Sequence, residues 1–474
     1  MMTMRDIFFY KGLVLFAFLT TGFFLVSCAY VVDEDVAPLV EAGPSFSLPV
    51  DDKENGRQKP WWEVLNDPIL NTLITKALAD NFTLQQVYAR IEQVQAAERQ
   101  AGSLLYPSLT GELSGTSKWN ADGKYTDNIT IEMGLSWEVD LWDQRSSSAK
   151  AAAYESQAVR DESAAVALLL STQVADTYFQ IIEQRLQLTL LARQIEVGQT
   201  FLELIKLRFA YGTASVVDVY QQRQQLAAIR TQLPIVRARL SALNNRLHVF
   251  LGLVPAEEKL QSSSELPQLP PLPQLGIPAD LLINRPDLKR LHRRLIAADY
   301  RVAAAVADRL PGIRLGGNTG FQGSDFSSDG LFLSLFGEAI APLVDWGRRK
   351  AEVDKRKAIV KEEIARYSQA YLVAIEEVEN ALWREKEQAE LIKALDDQLR
   401  ISRANLSETR NRYVQGLSDY LPVLAALQSM QNLERDILLR QRQLISIRIL
   451  LYRALGGSNF HSNFLGPIKK KGDS

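Results

Sequence analysis

Histidine, cysteine and paired carboxylates are the side chains that most often carry chemistry. This chain of 474 residues has three histidines, His248, His292 and His461, and one cysteine, Cys28. The histidines lie far apart, and none has a second ligand at metal spacing. The carboxylates alternate with Lys and Arg along helical stretches, which is the pattern of solvated helix faces rather than of a paired acid and base. Gly316-Gly317 sits within a strand pattern and not ahead of a helix, so it is no phosphate cradle. The sequence therefore predicts no enzyme, no metal and no cofactor. A net charge of −2, from 54 basic and 56 acidic residues, gives no reason to expect nucleic acid as a partner.

The single cysteine points elsewhere. Arg5 and Lys11 precede an apolar run from Leu13 to Val26, which ends in Leu25-Val26-Ser27-Cys28. A positive start, an apolar core and small residues before a cut site form an export signal, too short to span a bilayer comfortably. Leu-x-Ser-Cys resembles the bacterial lipobox. It implies cleavage between Ser27 and Cys28 and a thioether-linked diacylglycerol on Cys28. The competing reading is an uncleaved anchor helix with a chance cysteine. Ala29 stands where an Asp would resemble an inner-membrane retention signal, so the outer membrane is the implied address. With no second cysteine there is no disulfide framework.

What must position any function is a duplication. Arg208-Phe209-Ala210-Tyr211-Gly212 returns 204 residues later as Arg412-Tyr413-Val414-Gln415-Gly416. Pro107 maps to Pro311, Trp142 to Trp346, Arg145 to Arg349, Gln224 to Gln428, and Leu251-Gly252 to Leu455-Gly456. A fixed period over most of the chain is a structural repeat. The predicted organisation is a signal at 1–27, a lipidated tether at 28–59, a first repeat at 60–254, a Pro-rich linker at 255–278, a second repeat at 279–456 and a tail at 457–474.

Each repeat changes its hydrophobic period along its length. Helical patterns run from Trp61 to Asn81, from Thr83 to Leu105 and, in the second copy, from about Pro278 to Leu310. Pro107 and Pro311 stop the last two. Period-two hairpins follow, at about 108–141 and 312–341. In the first, Ile129, Ile131, Met133, Leu135, Trp137 and Val139 share one face, with Thr130, Glu132, Gly134, Ser136 and Glu138 on the other. A membrane hairpin and a half-buried soluble one share this pattern. From Arg145 to Tyr211 there is no proline, and Ala167, Val174, Ile181, Leu188, Ile195, Leu202 and Phe209 recur every seven residues. Such a helix is about 100 Å long, a length that a coiled-coil-like bundle uses and a compact domain does not. The second long helix keeps the same track with Glu385 as its one breach. Pro234 is expected to interrupt and bend the first return helix. Turns near Gly212 and Gly416 form the hairpin tips. Four strands cannot close a barrel, and an open sheet edge is not tolerated in hydrocarbon, so a membrane role requires several copies.

Together these features resemble the TolC-like outer membrane efflux proteins, in the lipoprotein (NodT-type) branch that serves resistance–nodulation–division pumps. The residues that carry the likeness are Trp137-Glu138-Val139-Asp140-Leu141-Trp142, Leu343-Val344-Asp345-Trp346-Gly347-Arg348, Asn284-Arg285-Pro286-Asp287-Leu288 and Arg412-Tyr413-x-x-Gly416, with the lipobox. The likeness covers residues 25 to about 456. It implies a membrane α+β fold: a duplicated strand–strand–long-helix unit, four strands per chain, a trimeric 12-stranded outer-membrane β-barrel and a long periplasmic α-helical barrel. It also implies a homotrimer set in outer-membrane lipid. A periplasmic adaptor protein would join it to an inner-membrane pump, so that small molecules pass to the exterior.

The implied chemistry is gating at the helical tips, where rings of equivalent side chains decide what passes. The candidate gate residues are Asp218, Asp419, Tyr420, Leu421 and Leu424, with Leu421 at a position where relatives place an apolar constriction. The alternative is that Tyr420, Leu421 and Leu424 only pack helices together. Ala425 and Pro422 depart from the family, which commonly has an aspartate ring at the former, so an apolar and tyrosine closure is expected instead. Arg208, Gly212, Arg412 and Gly416 form the expected adaptor-docking set. A conduit for type I protein secretion would use the same fold. A periplasm-spanning coiled-coil lipoprotein would explain the helices and Cys28, but has no use for four amphipathic strands.

Overall fold

The computed structural model describes residues 30–47, 60–119, 121–255, 262–273, 275–324 and 328–457. Ser27 and Cys28, with the whole predicted signal and lipidation site, lie outside the described residues, as does His461.

The duplication holds at the level of element boundaries. The first repeat comprises α1 (Pro68–Asp80), α2 (Phe82–Ser103), β1 (Ser108–Trp119), β2 (Tyr125–Val139), α3 (Gln144–Ala210) and α4 (Val216–Phe250). The second comprises α5 (Asp280–Asn284), α6 (Pro286–Ala307), β3 (Gly312–Gly323), β4 (Leu331–Ile340), α7 (Arg348–Val414) and α8 (Tyr420–Ala454). Four pairs have equal lengths: α2 and α6 at 22 residues, β1 and β3 at 12, α3 and α7 at 67, α4 and α8 at 35. At 1.5 Å per residue, α3 and α7 are each about 100 Å long.

Two compact units divide the chain, and each draws matching pieces from both repeats. Of the described residues, one takes those from Tyr30 to Leu39 with those in Arg90–Arg160 and Arg290–Ser368; the other takes those in Val40–Ala89, Asp161–Lys289 and Gln369–Gly457.

The first unit holds a four-stranded antiparallel sheet in the order β1-β2-β3-β4. Its central seam joins the two repeats, with Ile129 opposite Gly323 and Val139 opposite Ile313. The apolar face is open: Leu109 is 64% exposed, Leu113 75%, Leu333 73% and Leu335 82%. On a soluble sheet such a face would be covered; here it forms a continuous apolar surface on elements of membrane-strand length. The strands also run past the apolar rungs. Lys118 pairs with Thr126 and Ser117 with Asp127, and the Ser117 hydroxyl donates to Asp127 Oδ1 at 2.6 Å. Strand pairing thus extends to Trp119 and Tyr125, because polar rungs continue the ladder.

The second unit is built around Trp61 and Trp62, which pack with Tyr178, Phe179, Leu247, Ile449 and Tyr452. Trp61 stacks on Tyr452 at 5.7 Å. This cluster explains the early helical pattern without one helix from Trp61: Asn66 turns left-handed, and Asp67 caps α1 by accepting from the Ile69 and Leu70 amides. The helix expected from Pro278 to Leu310 is likewise broken, at Arg285, because the residue before Pro286 is driven out of helical conformation. Arg285 is buried and forks onto Asp287 at 2.7 and 3.1 Å. It also reaches Glu377 at 2.6 Å and the Ala454 carbonyl at 3.2 Å, tying the motif to α7 and the end of α8. The expected interruption at Pro234 is absent, since α4 runs unbroken through it. Pro234 lies on the exposed face, so the carbonyl that loses its donor is left to water.

Glu385, the one breach of the second heptad track, is explained by a partner. Arg448 of α8 reaches it through both Nε, at 2.8 Å, and Nη2, and both residues are buried. The same guanidinium donates to the carbonyls of Pro270 and Pro271 at 2.7 and 3.0 Å. The Pro-rich linker is therefore held by a buried ion pair, through carbonyls that its prolines leave free of ladder bonding.

Candidate functional site

Each long hairpin reverses through the same turn. Gly212 and Gly416 have φ of 73° and 76°, which only glycine adopts readily. The Gly212 amide donates to the Phe209 carbonyl and the Thr213 amide to Arg208; the Gly416 amide donates to Tyr413 and the Leu417 amide to Arg412. This is the Schellman arrangement, which satisfies the last carbonyls of the incoming helix. A Cβ at either glycine would meet open space, so backbone conformation and not crowding selects glycine there. The return helix α4 starts with a capping box: Asp218 Oδ2 accepts from the Ser215 amide, and the Ser215 hydroxyl accepts from the Val217 amide. Asp419 occupies the matching cap position of α8 without a side-chain bond, and is exposed.

Beneath the turns lies a separate apolar core of Phe201, Leu202, Ile205, Val219, Leu226, Tyr413, Tyr420, Val423, Leu424 and Leu427. Tyr420 is fully buried. Its hydroxyl donates to Gln222 Oε1 at 2.5 Å, and Gln222 Nε2 donates onward to the Gly198 carbonyl at 2.7 Å. Tyr413 packs against Tyr420 at 5.5 Å between ring centres. The Arg208 guanidinium lies over the Tyr413 ring at 4.6 Å and donates to the Val414 carbonyl at 2.9 Å. The two tips are thus cross-braced by one arginine and one tyrosine. Burial, with Tyr413 and Asp218 nearby, pushes the Tyr420 hydroxyl well above its ordinary range, so it stays a donor throughout physiological pH.

These contacts sort the residues named from sequence. Tyr420 and Leu424 are core residues of the tip in this chain, and Asp218 is engaged in capping. Leu421, at 60% exposure, and Asp419 point away from that core. Of the docking set, Gly212 and Gly416 make the turns, Arg208 braces them, and Arg412 is exposed.

Sequence reasoning missed a set of glutamines deeper in the same hairpins. Gln428 donates to Gln225 at 2.7 Å, Gln225 to Gln431 at 3.3 Å, and Gln194 to the Gln431 carbonyl at 3.1 Å. The available signal was glutamine at helical spacing inside apolar stripes, as at Gln187 and Gln194 or Gln428 and Gln431.

In the first unit, strands are locked to helices by matched devices. Asp140 accepts from the Arg145 and Ser146 amides, and Asp345 from the Gly347 and Arg349 amides. Arg145 donates to Glu138 at 2.5 Å, and the Trp142 indole N–H donates to the Pro311 carbonyl at 2.7 Å.

A four-stranded sheet with an open apolar face, on a chain whose two longest helices each run about 100 Å, is the architecture of an outer-membrane channel. Residues 73–253 and 277–457 match the outer membrane efflux protein family, one segment for each repeat. The chain belongs to that family and is an outer-membrane efflux channel. It is 28% identical over 412 residues to the pyoverdine export outer membrane protein OpmQ of Pseudomonas putida, covering 84% of this chain and 87% of the relative. It is 27% identical over 479 residues to nodulation protein T of Rhizobium leguminosarum bv. trifolii, covering 96% and 98%. A crystal structure of CusC shares the fold with a TM-score of 0.81 at 24% identity, over 89% of this chain and 100% of that one.

Proposed function

We propose that three copies of this chain close a 12-stranded barrel in the outer membrane and extend it as a helical tube through the periplasm. The tube is the exit duct for small molecules delivered by a periplasmic adaptor and an inner-membrane pump of the resistance–nodulation–division type. The observation that carries this reading is the sheet: four strands with an exposed apolar face and, among the described residues, two unpaired edges, β1 and β4. Hydrocarbon does not tolerate such edges, and pairing them between copies removes them. Cys28 carries the lipid that anchors the amino terminus after cleavage at Ser27. Arg412, with the turns at Gly212 and Gly416 and the bracing Arg208, forms the adaptor-facing surface. Leu421 and Asp419 line the periplasmic opening, while Tyr420, Leu424 and Asp218 hold the tips in their closed arrangement. The export named for OpmQ supports a small-molecule cargo.

The reading is tested by deleting the chain from its bacterium and following the intracellular accumulation of ethidium and of a panel of organic anions. Accumulation should rise for at least one class and return to normal with the plasmid-borne chain. Unchanged accumulation, with a secreted protein missing from the medium, would replace small-molecule efflux by protein secretion.

A further inference from the structure

We propose that Trp346 is one half of a clasp between copies of this chain, with its indole N–H donating to the main-chain carbonyl of Pro107 in a second copy. The inference rests on the multi-copy assembly of the preceding subsection and names the contact that joins one copy to the next.

The argument is the repeat itself. Within the chain, Trp142 at the elbow between β2 and α3 donates to the Pro311 carbonyl at 2.7 Å. Pro311 follows the helix α6 of the other repeat and leads into β3. Trp142 corresponds to Trp346 and Pro311 to Pro107 under the 204-residue shift that also relates the element boundaries. Applying the shift to the bond leaves a donor at the end of this chain's sheet and an acceptor at the start of it. The sheet order puts those two at opposite edges, so one chain cannot make the bond with itself and a neighbouring copy can.

The exposures agree. Trp142 and Pro311, the halves of the clasp that is made, are both partly buried. Trp346 is 96% exposed, and Pro107 is exposed too. Leu343 and Val344, just before Trp346, are 90% and 74% exposed. Backbone geometry separates the two elbows at the same point. Asp143 and its counterpart Gly347 both have positive φ, at 59° and 84°, but only in the second elbow does the tryptophan join them, at 54°. Left-handed backbone is strained for a residue of this bulk. The elbow without its acceptor carries the strain.

The same shift sets the ladder beside the clasp. The seam between β2 and β3 pairs Ile129 with Gly323 and Val139 with Ile313. Shifted, it pairs Leu333 with Trp119 and Leu343 with Leu109 of the second copy, which places Ser334 opposite Lys118. Strand pairing would then continue past Ile340 to Leu343.

The test replaces Trp346 with the photo-crosslinker p-benzoylphenylalanine in the full chain, in its own outer membrane. Irradiation should give covalent products of two and three chains, with the adduct mapped by mass spectrometry to residues 104–109. In a second measurement, the double variant Ser334→Cys/Lys118→Cys should form an intermolecular disulfide ladder on mild oxidation. Ser334→Cys/Ser114→Cys, on the same face but two rungs away, should not. Adducts confined to lipid would make Trp346 a membrane-interface anchor and overturn the clasp, as would adducts on another protein or linkage of the off-register pair. If the detergent-extracted mass is that of three chains while these cross-links fail, the contact is wrong and the assembly stands. A mass of one chain removes the assembly and the clasp with it.

Discussion

The Tyr420 hydroxyl donates to the Gln222 side chain at 2.5 Å, and through this bond the second hairpin tip is fastened to the first. Both residues are fully buried, so the bond is shielded from water. Tyr420→Phe keeps the ring in place and leaves the Gln222 oxygen unpaired, at a cost of about 1–2 kcal/mol. If the braced tip is the closed one, the closed-to-open ratio falls roughly five- to thirty-fold. Single-channel recordings in planar bilayers should show more frequent or larger openings. A conductance trace unchanged from the parent would place the gate elsewhere.

Leu421 and Leu424 separate lining from packing. Leu424 is buried in the tip core and Leu421 is 60% exposed. Leu424→Ala should destabilise the tip by about 2–4 kcal/mol, visible as faster amide exchange in the last turns of the hairpins. Leu421→Ala should leave exchange unchanged and raise conductance. The reverse pattern would show that Leu421 packs and Leu424 lines.

Arg448 and Glu385 hold the linker, and their removal should be asymmetric. Glu385→Gln or Arg448→Met alone leaves a buried group without its partner, a loss of about 3–5 kcal/mol. The double change Glu385→Leu/Arg448→Met should recover much of that. Limited proteolysis reads the linker directly: the single variants should be cut within residues 262–273 far faster than the parent. Equal cutting rates would mean that the prolines hold the linker without the clamp.

Glu34 makes the amino-terminal segment sensitive to acid. Its carboxylate accepts from the Tyr154 hydroxyl at 2.6 Å and from the Tyr300 hydroxyl, and these bonds hold it below the usual carboxylate range. A lowered value in the folded state gives stability that is complete above the unfolded value, near 4.5, and is lost as pH falls through the folded one. Exchange protection around Val32, which packs beside Tyr154 and Tyr300, should decline on acidification below that range. Glu34→Gln should flatten this dependence. An unchanged profile in the variant would assign the effect to other carboxylates.

Much of this fold was legible because its signals are long and periodic. The recurrence of Pro107, Trp142 and Gly212 at Pro311, Trp346 and Gly416 set the hairpins and long helices of the two repeats in one register, and alternation from Ile129 to Val139 marked a strand facing two environments. What stayed hidden depends on neighbours remote in sequence. Glu385 read as a breach because Arg448 lies a helix away. Tyr420 stood open between gating and helix packing, because the Val219 and Gln222 that it packs with and bonds lie on the other hairpin. The break at Arg285 was written locally, in the proline after it, but was masked by the helical pattern on both sides. Pro234 failed as a helix breaker because its exposed side lets water meet the freed carbonyl.

The mass of the processed, detergent-extracted protein tests most directly the proposed sharing of one barrel among three copies. With the detergent contribution subtracted, a complex of three chains is predicted. A folded single chain that disperses without detergent once Cys28→Ser is introduced would contradict a membrane barrel.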